Sequence, residues 1–477
     1  MDDQNRNLLL ATALSFLVIL IWFVLFPPPE PEPGQETATD ATTQTEAPVD
    51  PTTGAEIAQA PDTAIGGGGD GGGPAGAPDP VADAPRIPID TPRLEGSISL
   101  VGGRIDDLSL RDYRVTQATD SDIVRLLRPV GNASAYYTLY GWAAGAGLER
   151  GDVPGTDTEW QVQSGQTLGV DSPVTLRWES PSGLIFRRTI SVDEDYLFSV
   201  AQSVENPTDR TVRAQPYGLI ARHGLPDDLA NFFILHEGVV AKADGELIEE
   251  DYSNLPDLDV NPTYRAPAEV REGVQSGWIG FTDKYWMTTL IPPVDRPFRQ
   301  VMLYQASGDI YQTQTVYPAL DIAPGATVTQ ESQLFAGAKE WEVIREYQNQ
   351  GGIEKFLDSI DWGWFFFLTK PIFAALHFIN VFIGNMGWSI IVLTLAIKAV
   401  LLPLAYKSYV SMAKMKELQP EMEKIKERAG DDRQKLQQEM MELYKKEKVN
   451  PASGCLPILL QIPIFFSLYK VIFVTIE

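Results

Sequence analysis

The chain has 477 residues, enough for two or three folded units, and a formal net charge of −26 that argues against general nucleic-acid binding. Its one cysteine, Cys455, excludes an intramolecular disulfide and reads as a small packing residue. Basic residues are unevenly spread: 22 Lys/Arg lie between Pro27 and Gln350, against 11 between Ala405 and Ala452. That asymmetry is the positive-inside signal, which places residues 405–452 in the cytoplasm and the long acidic region outside.

In chain order, Leu8–Phe26 is an apolar run long enough to cross about 30 Å of hydrocarbon. It is barely basic beforehand and is followed by Pro27-Pro28-Pro29 rather than a cleavage site, so residues 1–27 read as an uncleaved anchor with the amino terminus inside. Residues 28–92 are rich in proline, glycine and acidic side chains, a composition that predicts a solvated, disordered tether. Period-two patterning then begins and continues over 93–340. Ile98, Leu100, Gly102-Gly103, Ile105 and Leu108 read as strand, turn, strand. Val174–Trp178 and Leu184–Val192 flank a second turn, and Tyr196, Phe198, Val200, Gln202 and Val204 alternate on one face of a further strand that Asn206-Pro207 ends. Many short strands with Gly/Pro turns predict one large antiparallel β-sandwich outside the membrane.

Residues 341–385 read as a connector with an amphipathic helix at its start, followed by an ambiguous apolar segment, Trp364–Ile383. If that segment and the next both crossed, the basic region would lie outside, so the expectation is a helix lying in the outer interface. Residues 386–404 read as a membrane span that carries Lys398. Residues 405–452 read as a cytoplasmic helical hairpin, and 453–475 as a second span. In the hairpin, Gly430 ends one helix, Asp431 or Asp432 caps the next, and Pro420 bends the first or marks a joint in it. Met412, Met415, Met422 and Ile425 form one helical stripe; Leu436, Met440, Leu443 and Tyr444 form another that can pack on it.

The candidate chemistry is concentrated here. A charge inside a span is costly and marks a functional site by default. Lys398 sits roughly 9 Å by helical rise from Leu404, the inner end of its span. A lysine so placed can simply snorkel to the headgroups. Thr394, one turn away on the same face, and Gln461 in the next span instead suggest a wet cavity, although a threonine hydroxyl alone is more simply explained by a bond to its own helix. The hairpin methionines, Met412, Met415, Met422, Met440 and Met441, suit either a coiled-coil core or an adaptable surface for apolar partners. The three histidines, His223, His236 and His377, have no metal-ligand spacing, and no catalytic constellation emerges.

Ser411–Phe465 (SMAKMKELQPEMEKIKERAGDDRQKLQQEMMELYKKEKVNPASGCLPILLQIPIF) closely resembles the hairpin and following span of the YidC/Oxa membrane-insertase family. Phe382–Tyr409 extends the likeness upstream, and Gly277–Pro293 (GWIGFTDKYWMTTLIPP) resembles, more weakly, the outer domain of Gram-negative members. The resemblance implies a multi-domain inner-membrane protein: an α-helical core with a cytoplasmic hairpin and a large all-β periplasmic supersandwich without catalysis. It implies a hydrophilic groove carrying one basic residue, here Lys398 where many relatives have arginine, with Thr394 and Gly387 on the groove side. It implies an insertase and chaperone rather than an enzyme, with no cofactor and no metal. The implied partners are nascent membrane proteins, the Sec translocon, the ribosome and membrane lipids. Family members continue with three more spans and a basic tail, so a fragment or truncated product is expected. The rival from another class is an envelope sensor or transport subunit whose β domain binds a ligand, and a sugar-processing sandwich using His223 and His236 is a third.

Overall fold

Alternating side chains give each strand one apolar face, and two sheets of such strands bury those faces against each other. The computed structural model describes residues 84–476 apart from 117, 119, 230–234, 295, 431–432, 448–455 and 475. The expected anchor, most of the expected tether, Asp431, Asp432, the Asn450-Pro451 helix end and Cys455 lie outside the described residues. An 11-stranded antiparallel sheet runs from edge strand Arg86–Asp90 through the long Val212–His223 to Val260–Asn261. A 9-stranded sheet runs from Glu246–Asp251 through Thr327–Ala338 to Gln161–Ser164. One core joins Leu94, Ile98 and Tyr140 of the first sheet to Phe186, Phe198 and Trp278 of the second.

The sequence expectations hold along the hairpins. Leu94–Ser99 pairs with Ile105–Arg114 across a turn in which Gly102 and Gly103 take positive φ, 72° and 61°, where a side chain would strain the backbone. Tyr196, Phe198, Val200, Gln202 and Val204 are all buried, and the Gln202 amide is satisfied by donating to the Tyr217 carbonyl at 3.2 Å. The start of the sandwich is a correction. Arg86–Asp90 is a strand, seven residues inside the stretch assigned to the tether. Pro88 in that segment reads as tether, but an edge strand does not need its missing N–H, and Ile87 and Ile89 are buried.

The chain leaves the sandwich through α1 (Trp341–Asn349), which is fixed to it at two points. Glu340 accepts from Tyr113, Tyr196 and Arg93, and the Tyr347 hydroxyl donates to Asp193 at 2.7 Å while accepting the Tyr196 N–H. A short 3-10 turn, Phe356–Ser359, leads to α2 (Phe366–Ile383). Next come α3 (Met386–Glu417), α4 (Gln419–Ala429), α5 (Arg433–Lys446) and α6 (Leu456–Val474).

The expected division at Leu404 is a change of composition, not a helix end. α3 passes through Pro403 and continues to Glu417, 32 residues or roughly 48 Å. The break comes at Leu418, and Pro420 occupies the first turn of α4, where its lost N–H has no helical acceptor anyway. α4 and α5 form the expected hairpin, with Ile425, Ala429 and Leu443 buried, the Tyr444 hydroxyl 3.9 Å from the Met422 sulfur, and Gly430 closing α4.

Candidate functional site

Two places carry the polar chemistry of the helical part. The first is the face of α3 marked by Lys398. Gly387, Thr394 and Lys398 recur at helical spacing along one face, and Lys398 lies roughly 18 Å along the axis from the start of α3. Lys398 is exposed and makes no ion pair or hydrogen bond among the described residues. The Thr394 hydroxyl donates to the Ile390 carbonyl at 2.7 Å, so it is satisfied within its own helix, as the simpler reading of a lone threonine expects. Gly387 is exposed in the first turn of α3, and Gln461 is half-buried on α6 with no hydrogen bond among the described residues. The hairpin methionines divide. Met422 packs in the α4–α5 contact and Met440 is half-buried, while Met412 and Met441 are exposed. Met412 and Met415 belong to α3, before the joint, so the stripe is not one continuous seam.

The second place is the junction between the sandwich, the connector and the helices. Two connector carboxylates three residues apart each hold a lysine of a different helix. Asp361 Oδ2 accepts from Lys470 Nζ of α6 at 2.6 Å and from the His236 backbone N–H of the sandwich at 2.8 Å. Asp358 accepts from Lys370 of α2 at 2.7 Å and from Lys242 of the sandwich at 2.8 Å. Burial opposes the Asp358 charge, but the two lysines outweigh it and hold its carboxyl below the usual range. His377, seven residues beyond Lys370 on α2, meets Glu342 of α1 at 2.9 Å. Trp341 of α1 packs on Phe373 and His377, so α2 runs alongside the connector over this stretch. The Lys284 ammonium lies 4.0 Å from the centre of the Phe473 ring, so the carboxyl end of α6 faces the sandwich and its amino end the hairpin.

His223 and His236 form no active site. His236 sits between Asp251 and the Val239 carbonyl, both at 2.8 Å, and His223 is buried against Tyr137. Two acceptors around one imidazole call for N–H on both nitrogens. Although burial opposes its charge, Asp251, Glu249 and Val239 raise the His236 pKa. No group of His, Cys, Asp and Glu able to hold a metal occurs among the described residues.

Comparison with known proteins decides the family. Residues 86–375 match the YidC periplasmic domain, and residues 378–477 match the 60Kd inner membrane protein family. The membrane protein insertase YidC of Dinoroseobacter shibae is 64% identical over 477 residues, covering 100% of this chain and 77% of that protein. The chain belongs to the YidC family of membrane protein insertases. The insertase of Roseobacter denitrificans is 62% identical over the same shares of the two chains. These are inner-membrane insertases with a periplasmic domain, not enzymes. Among solved structures, an active YidC insertase is 16% identical, covering 81% of this chain and 71% of its own with a TM-score of 0.26. A galactose mutarotase related enzyme from Lactobacillus acidophilus is 12% identical, covering 53% of this chain and 97% of its own at 0.35.

Sequence reasoning passed over the junction of this insertase. Lys470 carried a signal, since it is a charge inside an apolar run, and it is only 6% exposed. Asp358 and Asp361 carried none, because acidic residues in a connector are ordinary.

Proposed function

We propose that the Lys398 face of α3 is the insertion site, a hydrophilic groove that meets the polar segment of an incoming chain. The carrying observation is a lysine in an apolar helix with no partner among the described residues, so its charge is available to a substrate. α3 and α6 are the spans of this proposal. α6 runs from the hairpin to the sandwich, and α3 is long enough to extend beyond the hydrocarbon toward the hairpin. With the sandwich in the periplasm, the hairpin is then cytoplasmic, in agreement with its basic residues.

α2 is long and apolar enough to cross a membrane. Its polar contacts favour the in-plane reading: Lys370 and His377, roughly 10 Å apart by helical rise, are both held by the connector on the sandwich side. Its exposed Phe366, Phe367, Phe378 and Phe382 suit headgroup depth.

Substrates are nascent membrane proteins. A charged terminus enters the groove, and its apolar helix then slides into lipid, a transfer favourable by about 0.8 kcal/mol per buried methylene. No cofactor is needed. Chaperone work, cooperation with the Sec translocon, docking of the ribosome on the basic hairpin, and contact of apolar partners with the exposed Met412 and Met441 belong to the same proposal.

A photoreactive side chain placed at Thr394 should crosslink to a stalled nascent membrane protein several-fold more than one at Val400, which is on the far face of α3 and is 78% exposed. Equal crosslinking from the two faces would overturn the groove.

A further inference from the structure

A cavity of about 1420 Å³ opens at the junction, beneath the edge strand Glu246–Asp251 and beside α2 and α6. Its charges are mostly used up internally. Asp251 is taken by His236, Asp358 by Lys370 and Lys242, and Asp361 by Lys470. What remains on the lining is two carboxylates, Glu249 and Glu250, and one ammonium, Lys355, none with an ion pair or hydrogen bond among the described residues. The Ser467 hydroxyl of α6 also lines the cavity; it is 1% exposed and has no hydrogen-bond partner among the described residues. A buried hydroxyl left unmatched costs about 1–3 kcal/mol, so it calls for an occupant that can bond to it.

The rest of the wall is aromatic and apolar: Trp362, Trp364 and Phe365 from the connector side, and Ile462 and Phe466 from α6. Aromatic faces next to carboxylates attract an ammonium group. Trp364 is 88% exposed, as expected of an indole at headgroup depth.

We propose that this cavity binds an aminophospholipid of the outer leaflet. The primary ammonium lies between Glu249, which shares a strand face with Leu247 and Asp251, and the tryptophans, with Glu250 at the strand's other side adding to the local negative charge; the phosphate meets Lys355, and the chains run along Phe365 and Phe466. Two carboxylates and one ammonium without a hydrogen bond or ion pair among the described residues complement a zwitterion. An anionic headgroup lacks that cation and would leave the Glu249 and Glu250 carboxylates without a counter-charge. The volume exceeds the 300–1,000 Å³ of usual small-molecule sites, which suits a headgroup with its glycerol and first methylenes. An extended basic peptide would satisfy the carboxylates but leave the apolar wall without chains to cover.

The site rests on α2 lying in the interface. The intact insertase is delipidated in detergent and titrated with dioleoyl phosphatidylethanolamine or dioleoyl phosphatidylglycerol, and retention is read by native mass spectrometry. We expect phosphatidylethanolamine to be retained about tenfold better. Glu249→Gln with Glu250→Gln should abolish the preference, Lys355→Gln should weaken retention several-fold, and Lys398→Glu should leave both unchanged. These side chains are at the surface, so folding should survive the changes.

A bimane label on Phe382→Cys, quenched by brominated lipids, reports the depth of α2 separately. A shallow label with equal retention of the two lipids overturns the lipid site alone. A deep label overturns the placing of α2, and the site with it. Displacement of the bound lipid by a lysine-rich peptide without any headgroup preference would also overturn the proposal, in favour of a peptide site.

Discussion

The sandwich and the helical part use the same apolar residue types in opposite ways. In the sandwich, Trp278, Phe186, Phe198 and Phe281 are fully buried, and strand after strand has one face in the core. On α3, Val400 and Leu402 are 78% and 65% exposed, and only Ser389, Leu393 and Ser408 are buried in the whole helix. A water-facing surface of that kind would aggregate, which agrees with a family of inner-membrane proteins. The contrast extends to charge. The sandwich gives its fully buried Arg188 three acceptors, the carbonyls of Gly102, Gly103 and Tyr140. α3 leaves Lys398 without one among the described residues. Buried packing is concentrated in the first region, and the proposed contact with a substrate lies in the second.

The comparison can be broken first at the sandwich. Trp278→Ala should cost the β domain about 3–5 kcal/mol, measured as lost protease resistance of the domain. Insertion by the same protein should change less than twofold. Complete loss of insertion, with the protein still in the membrane, would favour a sensor whose output depends on the sandwich.

The next largest effect is expected where the two regions meet. Asp361→Ala removes the carboxylate that holds the buried Lys470 to the connector, at a cost of about 3 kcal/mol. Adding Lys470→Met should recover part of it, since the charge that Asp361 balanced is then gone. Protease cleavage in the connector, compared across the single and double variants, reads both.

Asp358→Asn should do less, about 1–2 kcal/mol, because the amide oxygen can still accept from the buried Lys242 and the other partner, Lys370, is partly exposed and screened. Its carboxyl is held below the usual range, so its contribution is fully present above the unfolded value near pH 4 and is lost as pH falls through the lowered folded value. Connector protection followed from pH 6 to pH 3 should therefore decline in the parent protein more than in Asp358→Asn.

The sandwich was legible because period two leaves a direct trace: the hairpin at Gly102-Gly103 and the face Tyr196 to Val204 are where the alternation places them. Its first strand was not, because Pro88 and Asp90 carry the composition of the tether while Ile87 and Ile89 are too few to show a pattern. The hairpin seam was legible at Met422 and Tyr444, but not the assignment of Met412 to a different helix, which depends on the joint at Leu418. The junction was the least legible. Asp361 and Lys470 are 109 residues apart, and only the fold brings them together.

Lys398 was visible from the first as a charge in an apolar run, and its role is the point on which the insertion proposal stands. If its charge faces a groove, an acidic segment at 4 Å gains of order 1–4 kcal/mol between aqueous and protein-surface dielectrics, and about 1.4 kcal/mol is tenfold. Protease protection of paired substrates that differ only in the charge of the translocated tail, at matched insertase levels, measures that gain. Lys398→Glu should lower insertion of the acidic-tailed substrate about tenfold and that of the neutral-tailed one much less, while Lys398→Arg inserts both. Equal insertion of the two substrates by Lys398→Glu and by the parent would contradict the groove and leave Lys398 a lysine that reaches the headgroups.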